Sequence, residues 1–216
     1  MTSDTDIGVV SRLRAEVAEH LPFSVSAVAV GLAAVGLACF VSGGAGTQPL
    51  FHLFHPIHML FSAAATTAMF RRYGRGVVKA SIVGLAGAVG VCGLSDVVMP
   101  HLSLSLLGSE AHWHLCIAEE PGMVLSFAGI GVVVGLLASG SVAGSTFFSH
   151  SLHVLASTVA SAVYLVGPLG WPEWTDSTGA IFPLLIVAVM VPCCLSDIVF
   201  PVIAAGRSAR AGCHHC

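Results

Sequence analysis

Charged side chains are scarce along this chain. Lys and Arg number 8 and Asp and Glu 11 among 216 residues, so that 9% of the residues are charged while 56% are hydrophobic. An average soluble domain carries about 25% charged residues. The scarcity therefore excludes an ordinary soluble domain and predicts an integral membrane protein.

Three functional signals are also missing. The eight basic residues are scattered in small groups, so the chain has no basic patch for nucleic acid. The first twenty residues include four acidic ones and no cleavage site after an apolar core, so no cleavable signal peptide is expected. A His-Glu-x-x-His motif does not occur, which argues against an intramembrane zinc protease of that type.

Six apolar stretches are long enough to span a bilayer, which takes about 20 residues in a helix. They lie at residues 21–41, 51–70, 77–99, 115–138, 146–167 and 180–204. The Lys and Arg residues lie before the first stretch, around the connection between the second and third, or after the sixth. The six stretches predict an all-α membrane protein with six transmembrane helices. The positive-inside rule then predicts that both termini lie in the cytoplasm. We expect it in a bacterial or archaeal inner membrane.

The two halves of the chain resemble each other. Three pairs of segments match: Cys92–Pro100 with Cys193–Pro201, His55–Leu60 with His150–Leu155 and, more loosely, Val17–Pro22 with Ile117–Pro121. Each half therefore carries Glu, His-x-x-His and Ser-Asp in that order. Because three is an odd number of spans, the second copy of the repeat enters the membrane from the side opposite to the first. The sequence thus predicts a 3+3 inverted-topology repeat, an arrangement found in secondary transporters.

The predicted boundaries follow from this repeat. Residues 1–108 form the first three-helix unit, 109–206 the second, and 207–216 a cytoplasmic tail. The tail ends in the sequence Cys-His-His-Cys, whose thiolate and imidazole groups can bind Zn²⁺ or Cu⁺. We expect this tail to capture metal. Its candidate ligands are Cys213, His214, His215 and Cys216.

Polar residues of the two repeats are expected to form two clusters. The cluster near the outer face would contain His55, His58, Asp96, Glu119 and Glu120. The cluster near the cytoplasmic face would contain Glu19, His20, His150, His153 and Asp197. Histidines three residues apart share one helical face. With 1.5 Å of rise per residue, the two clusters should lie roughly 15–20 Å apart and form two sites.

The chemistry of these residues suits a transition metal. Imidazole and carboxylate ligands bind Zn²⁺, Fe²⁺, Mn²⁺, Co²⁺ or Ni²⁺ better than Ca²⁺ or Mg²⁺, and we expect Zn²⁺ or Fe²⁺ first. Cys92 and Cys193 occupy equivalent places in the two repeats, one turn before Asp96 and Asp197. We expect them to be supporting groups or occasional ligands. Ser62 and Thr66 should hydrogen-bond across helices, as should their counterparts on the fifth helix.

The leading hypothesis is a transporter for a divalent transition metal. Protonation of the His and Asp ligands would couple release of the metal to pH. Its partners would be lipids and the ion, without nucleic acid, and the glycine-rich faces would allow a homodimer. One alternative is electron transfer across the membrane, through two haems or through a thiol relay between Cys92 and Cys193. The other is a His-rich membrane metalloenzyme, although a chain without catalytic activity is expected.

Overall fold

The computed structural model describes residues 3–43, 47–109, 116–138 and 144–205, and within these ranges the chain is helical with no strand. The α-helices are α1 (Ser3–Ser42), α2 (Thr47–Tyr73), α3 (Val77–Leu85), α4 (Gly93–Leu106), α5 (Cys116–Glu119), α6 (Pro121–Ala138), α7 (Gly144–Leu169), α8 (Trp171–Asp176), α9 (Thr178–Cys194) and α10 (Phe200–Ala205). Two π-helical segments continue them without a break: π1 (Ala86–Cys92) joins α3 to α4, and π2 (Leu195–Val199) joins α9 to α10. The all-α prediction is confirmed.

Four helical stretches of the described chain are long and apolar enough to cross a membrane: Leu21–Ser42, Pro121–Ala138, His150–Leu169 and Thr178–Ala205. They agree with four of the six predicted spans and confirm a membrane protein. The stretches predicted at 51–70 and 77–99 also lie in helices. They are not among the helices that are both long and apolar enough to cross a membrane, so these two spans stay predictions. For α2 the reason is its composition, because histidines, serines and threonines on its buried face lower its hydropathy.

The surface of the bundle is apolar where helices face outward. Leu37 and Phe40 on α1 and Leu137 on α6 are between 65% and 77% exposed. Large exposed apolar surfaces are rare on water-soluble monomers. In a bilayer these side chains contact acyl chains, while the polar residues of α2 and α7 lie inside the bundle.

The centre of the bundle is the antiparallel pair α2 and α7. Phe51 near the start of α2 meets Tyr164 near the end of α7, with ring centroids 5.4 Å apart. Further along both helices, the rings of His58 and His153 stack at 4.5 Å. Because a rising residue number on α2 pairs with a falling one on α7, the two helices run in opposite directions. Residues 62–70 of α2 are all buried.

The remaining long helices pack around this pair in a regular way. The π1–α4 segment runs antiparallel to α2, since Cys92 contacts Ser62 while Gly87 approaches Thr66. The α1 helix runs parallel to α7, since Ser24 contacts His150 and the later Gly31 approaches Leu155 and Thr158. On the other side, α6 runs parallel to α2.

Glycines allow the close approach of α6 to α2. A Cβ atom added at Gly131 would overlap the backbone oxygen of Leu60, and one at Gly135 would lie 2.5 Å from the backbone oxygen of Ala64. Backbone cannot move aside as the end of a flexible side chain can. Small residues therefore set the distance between these two helices, as is common in membrane bundles.

Replacing Gly131 with alanine should therefore lower the free energy of unfolding by about 1–3 kcal/mol, the usual effect of overpacking. Gly129, two residues earlier on the same helix, is the matched control because an added Cβ there meets nothing within 4 Å. Thermal unfolding of both variants in detergent checks the prediction. Equal melting temperatures for Gly131→Ala and Gly129→Ala would contradict the described packing.

Candidate metal centre

The second histidines of the two His-x-x-His motifs face each other in the middle of the bundle. The Nε2 atom of His58 lies 2.5 Å from the Nε2 atom of His153. Both side chains are fully buried. The contact arises because α2 and α7 are antiparallel and carry the same motif, so that equivalent residues meet where the helices cross.

Two cysteines complete this cluster. Cys92 is the last residue of π1 and Cys193 lies just before π2, and both are buried. The Sγ atom of Cys92 lies 3.5 Å from the Nε2 atom of His153. One ligand atom from each of the four residues lies within 4.8 Å of all the others. We call His58, Cys92, His153 and Cys193 the central group. It can hold a metal ion.

A buried carboxylate supports the central group from one side. Asp197, only 1% exposed, accepts hydrogen bonds at one oxygen from Nδ1 of His150 at 2.9 Å and from Nδ1 of His153 at 2.5 Å. The hydroxyl of Thr66 donates to its other oxygen at 3.2 Å. Three donors from α2 and α7 thus meet one carboxylate on π2. His150, His153 and Asp197, here called the aspartate group, can also hold a metal ion.

The two groups share His153, and its hydrogen bonds indicate which nitrogen is available to an ion. A carboxylate only accepts, so Nδ1 of His153 carries the proton that it donates to Asp197. In the neutral form in which an imidazole binds metal, the ring then presents the lone pair of Nε2 to His58 and Cys92. Histidine ligands in metal sites commonly donate their other N–H to a carboxylate, which orients the ring. The geometry therefore favours the central group as the ion site and Asp197 as a positioning residue.

Hydroxyl groups link the helices around the site. Ser62 on α2 donates to the Sγ atom of Cys92 at 3.2 Å and lies 3.3 Å from the hydroxyl of Ser196. The hydroxyl oxygen of Thr66 also lies 3.2 Å from the backbone oxygen of Ser196, so that its single hydrogen is shared between this oxygen and Asp197. These contacts confirm the predicted interhelical role of Ser62 and Thr66. Thr158 instead donates to a backbone oxygen one turn back in its own helix.

The prediction of two separate clusters is wrong. The repeat pattern predicts His58 in an outer site and His153 in an inner one, yet their rings are in contact. Both histidines lie more than two turns inside their helices. Because α2 and α7 run in opposite directions, these two interior positions meet where the helices cross.

The other predicted ligands on described side chains lie outside both groups. His55 is buried but stacks on Phe51, with ring centroids 5.5 Å apart. Glu19, Glu119 and Glu120 are exposed. The repeated order of the glutamates was a correct observation about sequence, but it carried no information about the helical face on which they lie.

Several predicted ligands fall outside the described part of the molecule. They are the side chains of His20 and Asp96 and the tail residues Cys213, His214, His215 and Cys216. The cysteines of the central group, by contrast, are predicted from sequence only as supporting groups or occasional ligands. Their equivalent positions in the two repeats, each one turn before an aspartate, were the signal that could have identified them.

No protein-family model matches the chain, and no curated protein or solved structure shows significant similarity to it. Function must therefore be inferred from the two ligand groups and their place in the bundle.

Proposed function

We propose that this chain is a membrane transporter for a transition-metal ion, which binds as substrate at the central group. The observation that carries the proposal is the convergence of four buried ligands from the two sequence repeats, one His and one Cys from each. Buried polar groups within membrane helices are costly and usually functional. A position at the crossing of two repeats is typical of substrate sites in secondary transporters.

Helix packing supports an inverted repeat around this site. Gly31 of α1 approaches Leu155 of α7, and Gly131 of α6 approaches Leu60 of α2. Leu60 and Leu155 hold the same place in the two His-x-x-His segments. Each repeat therefore packs its first helix against the second helix of the other repeat. Since α2 and α7 are antiparallel, the two units point in opposite directions.

This arrangement agrees with six spans and with both termini in the cytoplasm of a bacterial or archaeal cell, the orientation that the positive-inside rule favours. The basic residues Arg71, Arg72 and Arg75 would then mark the cytoplasmic end of α2, and His58 and His153 would lie near the middle of the membrane. Such a site must open to each face in turn, because all four ligands are buried.

The π-helical segments offer a place for that movement. Cys92 ends π1, and Cys193 lies two residues before π2 begins. π-Helical turns are rare and are frequently found at functional sites, where they interrupt the regular hydrogen bonding of a helix. A shift of either segment would move one cysteine away from the histidines and open the central group.

Metal flux into proteoliposomes tests the proposal. The wild-type protein should transport a first-row transition metal, and His58→Ala should reduce flux to the background of empty vesicles because it removes a ligand of the central group. His52→Ala is the control, since His52 lies on the same helix but is exposed. Absence of flux for every metal in the wild-type protein would refute the transport function.

A thiol relay is the second candidate, favoured by the short distance between Cys92 and Cys193. Their Sγ atoms lie within 4.8 Å of each other, and they could cycle between a dithiol and a disulfide. Mass spectrometry of membranes after mild oxidation would detect that disulfide. Its reversible formation in a protein that binds no metal, with His58→Ala having no effect, would favour the relay.

The geometry does not favour a haem between the histidines. An iron with two axial histidines needs their nitrogens on opposite sides of a porphyrin ring. The rings of His58 and His153 stack at 4.5 Å with their Nε2 atoms in hydrogen-bonding contact. No porphyrin fits between them in this arrangement, and a Soret band in the purified protein that is lost in His58→Ala would contradict this conclusion.

A further inference from the structure

The donor atoms of the central group point to a particular class of ion. Two are thiol sulfurs, from Cys92 and Cys193, and two are imidazole nitrogens. Thiolate and imidazole together suit Zn²⁺ and other thiophilic ions, whereas Mg²⁺, Ca²⁺ and Mn²⁺ prefer carboxylate, carbonyl and water oxygens. The carboxylate that contacts His153, that of Asp197, faces the Nδ1 atom of this histidine rather than its Nε2 atom. It is therefore turned away from the central group.

The number and burial of the ligands narrow the class further. All four ligand residues are at most 1% exposed. Four ligands of this kind are the usual complement of a tetrahedral zinc site. Ions that prefer six oxygen ligands would have to recruit water into an enclosed position.

The net charge of the metal complex distinguishes divalent from monovalent thiophilic ions. Metal binding requires the thiols to lose their protons. Two thiolates and one divalent ion form a complex without net charge, whereas Cu⁺ would leave one uncompensated negative charge. An uncompensated charge is costly in the low-dielectric interior of a membrane protein. This balance favours Zn²⁺, or Cd²⁺ as its heavier analogue.

We propose that the central group is a tetrahedral site with two thiolate and two imidazole ligands, and that it selects a thiophilic divalent ion of the zinc class over Mn²⁺. The identification of this ion as cargo rests on the proposed transport function. The ligand set itself does not, because binding can be measured without flux.

Cobalt spectroscopy tests the ligand set directly. The full-length protein, without a histidine tag, would carry Cys213→Ser and Cys216→Ser so that tail thiols cannot contribute. Addition of Co²⁺ should give a thiolate-to-cobalt charge-transfer band and the intense visible bands of tetrahedral cobalt. Zn²⁺ and Cd²⁺ should remove these bands by displacement, and a large excess of Mn²⁺ should not.

Two variants locate the ligands on this background. Cys92→Ser combined with Cys193→Ser should abolish the charge-transfer band, whereas Cys39→Ser should keep it. Cys39 is a suitable control because it is equally buried but lies outside the central group. A six-coordinate cobalt spectrum without a charge-transfer band in the background protein would overturn the proposal. So would a band that persists without Cys92 and Cys193.

The outcome separates the two proposals. A thiolate–cobalt spectrum in a protein that transports no metal would leave the site intact and refute transport. Metal flux by a protein without thiolate coordination would support transport and refute the ligand set proposed here.

Discussion

Replacing His153 with alanine is expected to abolish metal binding and to destabilise the ion-free protein as well. His153 is the one described residue that belongs to both the central group and the aspartate group. Its removal therefore eliminates a ligand wherever the ion binds. It also deprives the buried Asp197 of its shortest hydrogen bond. Loss of one partner of a buried ion pair typically lowers stability by about 3–5 kcal/mol.

We expect the lower end of that range, because Asp197 keeps the hydrogen bonds donated by His150 and Thr66. Elemental mass spectrometry measures bound metal, and thermal unfolding of the chelator-treated protein measures stability without it. His52→Ala is the control, since His52 is exposed on the same helix as His58. An ion-free His153→Ala protein as stable as the wild type would contradict the described hydrogen bonds.

Comparison with Cys92→Ser distinguishes the two possible ion positions. The cysteine variant alters the central group but leaves the aspartate group complete. If the ion binds at the central group, Cys92→Ser should lose most of its affinity. If instead the ion binds between His150 and Asp197, Cys92→Ser should bind metal normally while His153→Ala does not. That second result would place the ion at the aspartate group instead of the central group.

The helices and the important histidines could be predicted from sequence because they depend on local pattern. Apolar stretches separated by charged connections identify helices, and the repeated His-x-x-His motif identified His58 and His153. Their contact could not be predicted, since it depends on how deeply α2 and α7 overlap. The sequence gives helix ends only to within a turn. A small error at each end was enough to turn one central site into two distant ones.

The roles of the acidic and sulfur ligands were harder to predict for a different reason. A glutamate near the start of an apolar stretch can face the bundle or the solvent, and Glu19 and Glu119 prove to be exposed. Cysteines in apolar helices usually serve as small core residues. Only the three-dimensional convergence of Cys92 and Cys193 with the histidines distinguishes them from such residues.

Asp197 should affect metal affinity without determining whether metal binds. In Asp197→Asn the amide keeps the size of the carboxyl group but has a single acceptor oxygen for three donors. His153 would then be less firmly oriented, and we expect the affinity for Zn²⁺ to fall about 10–100-fold, the usual effect of losing such a supporting group. The stoichiometry at saturating Zn²⁺ should stay unchanged, as measured by isothermal titration calorimetry.

The control for this variant is Asp176→Asn, because Asp176 is an exposed acid on α8. It should leave both affinity and stoichiometry at the wild-type values. Complete loss of binding in Asp197→Asn, with the protein still folded, would mean that the carboxylate coordinates the ion itself. The aspartate group would then replace the central group as the ion site. A modest loss of affinity with the thiolate–cobalt spectrum retained would instead assign Asp197 the task of holding Nε2 of His153 toward the two cysteines.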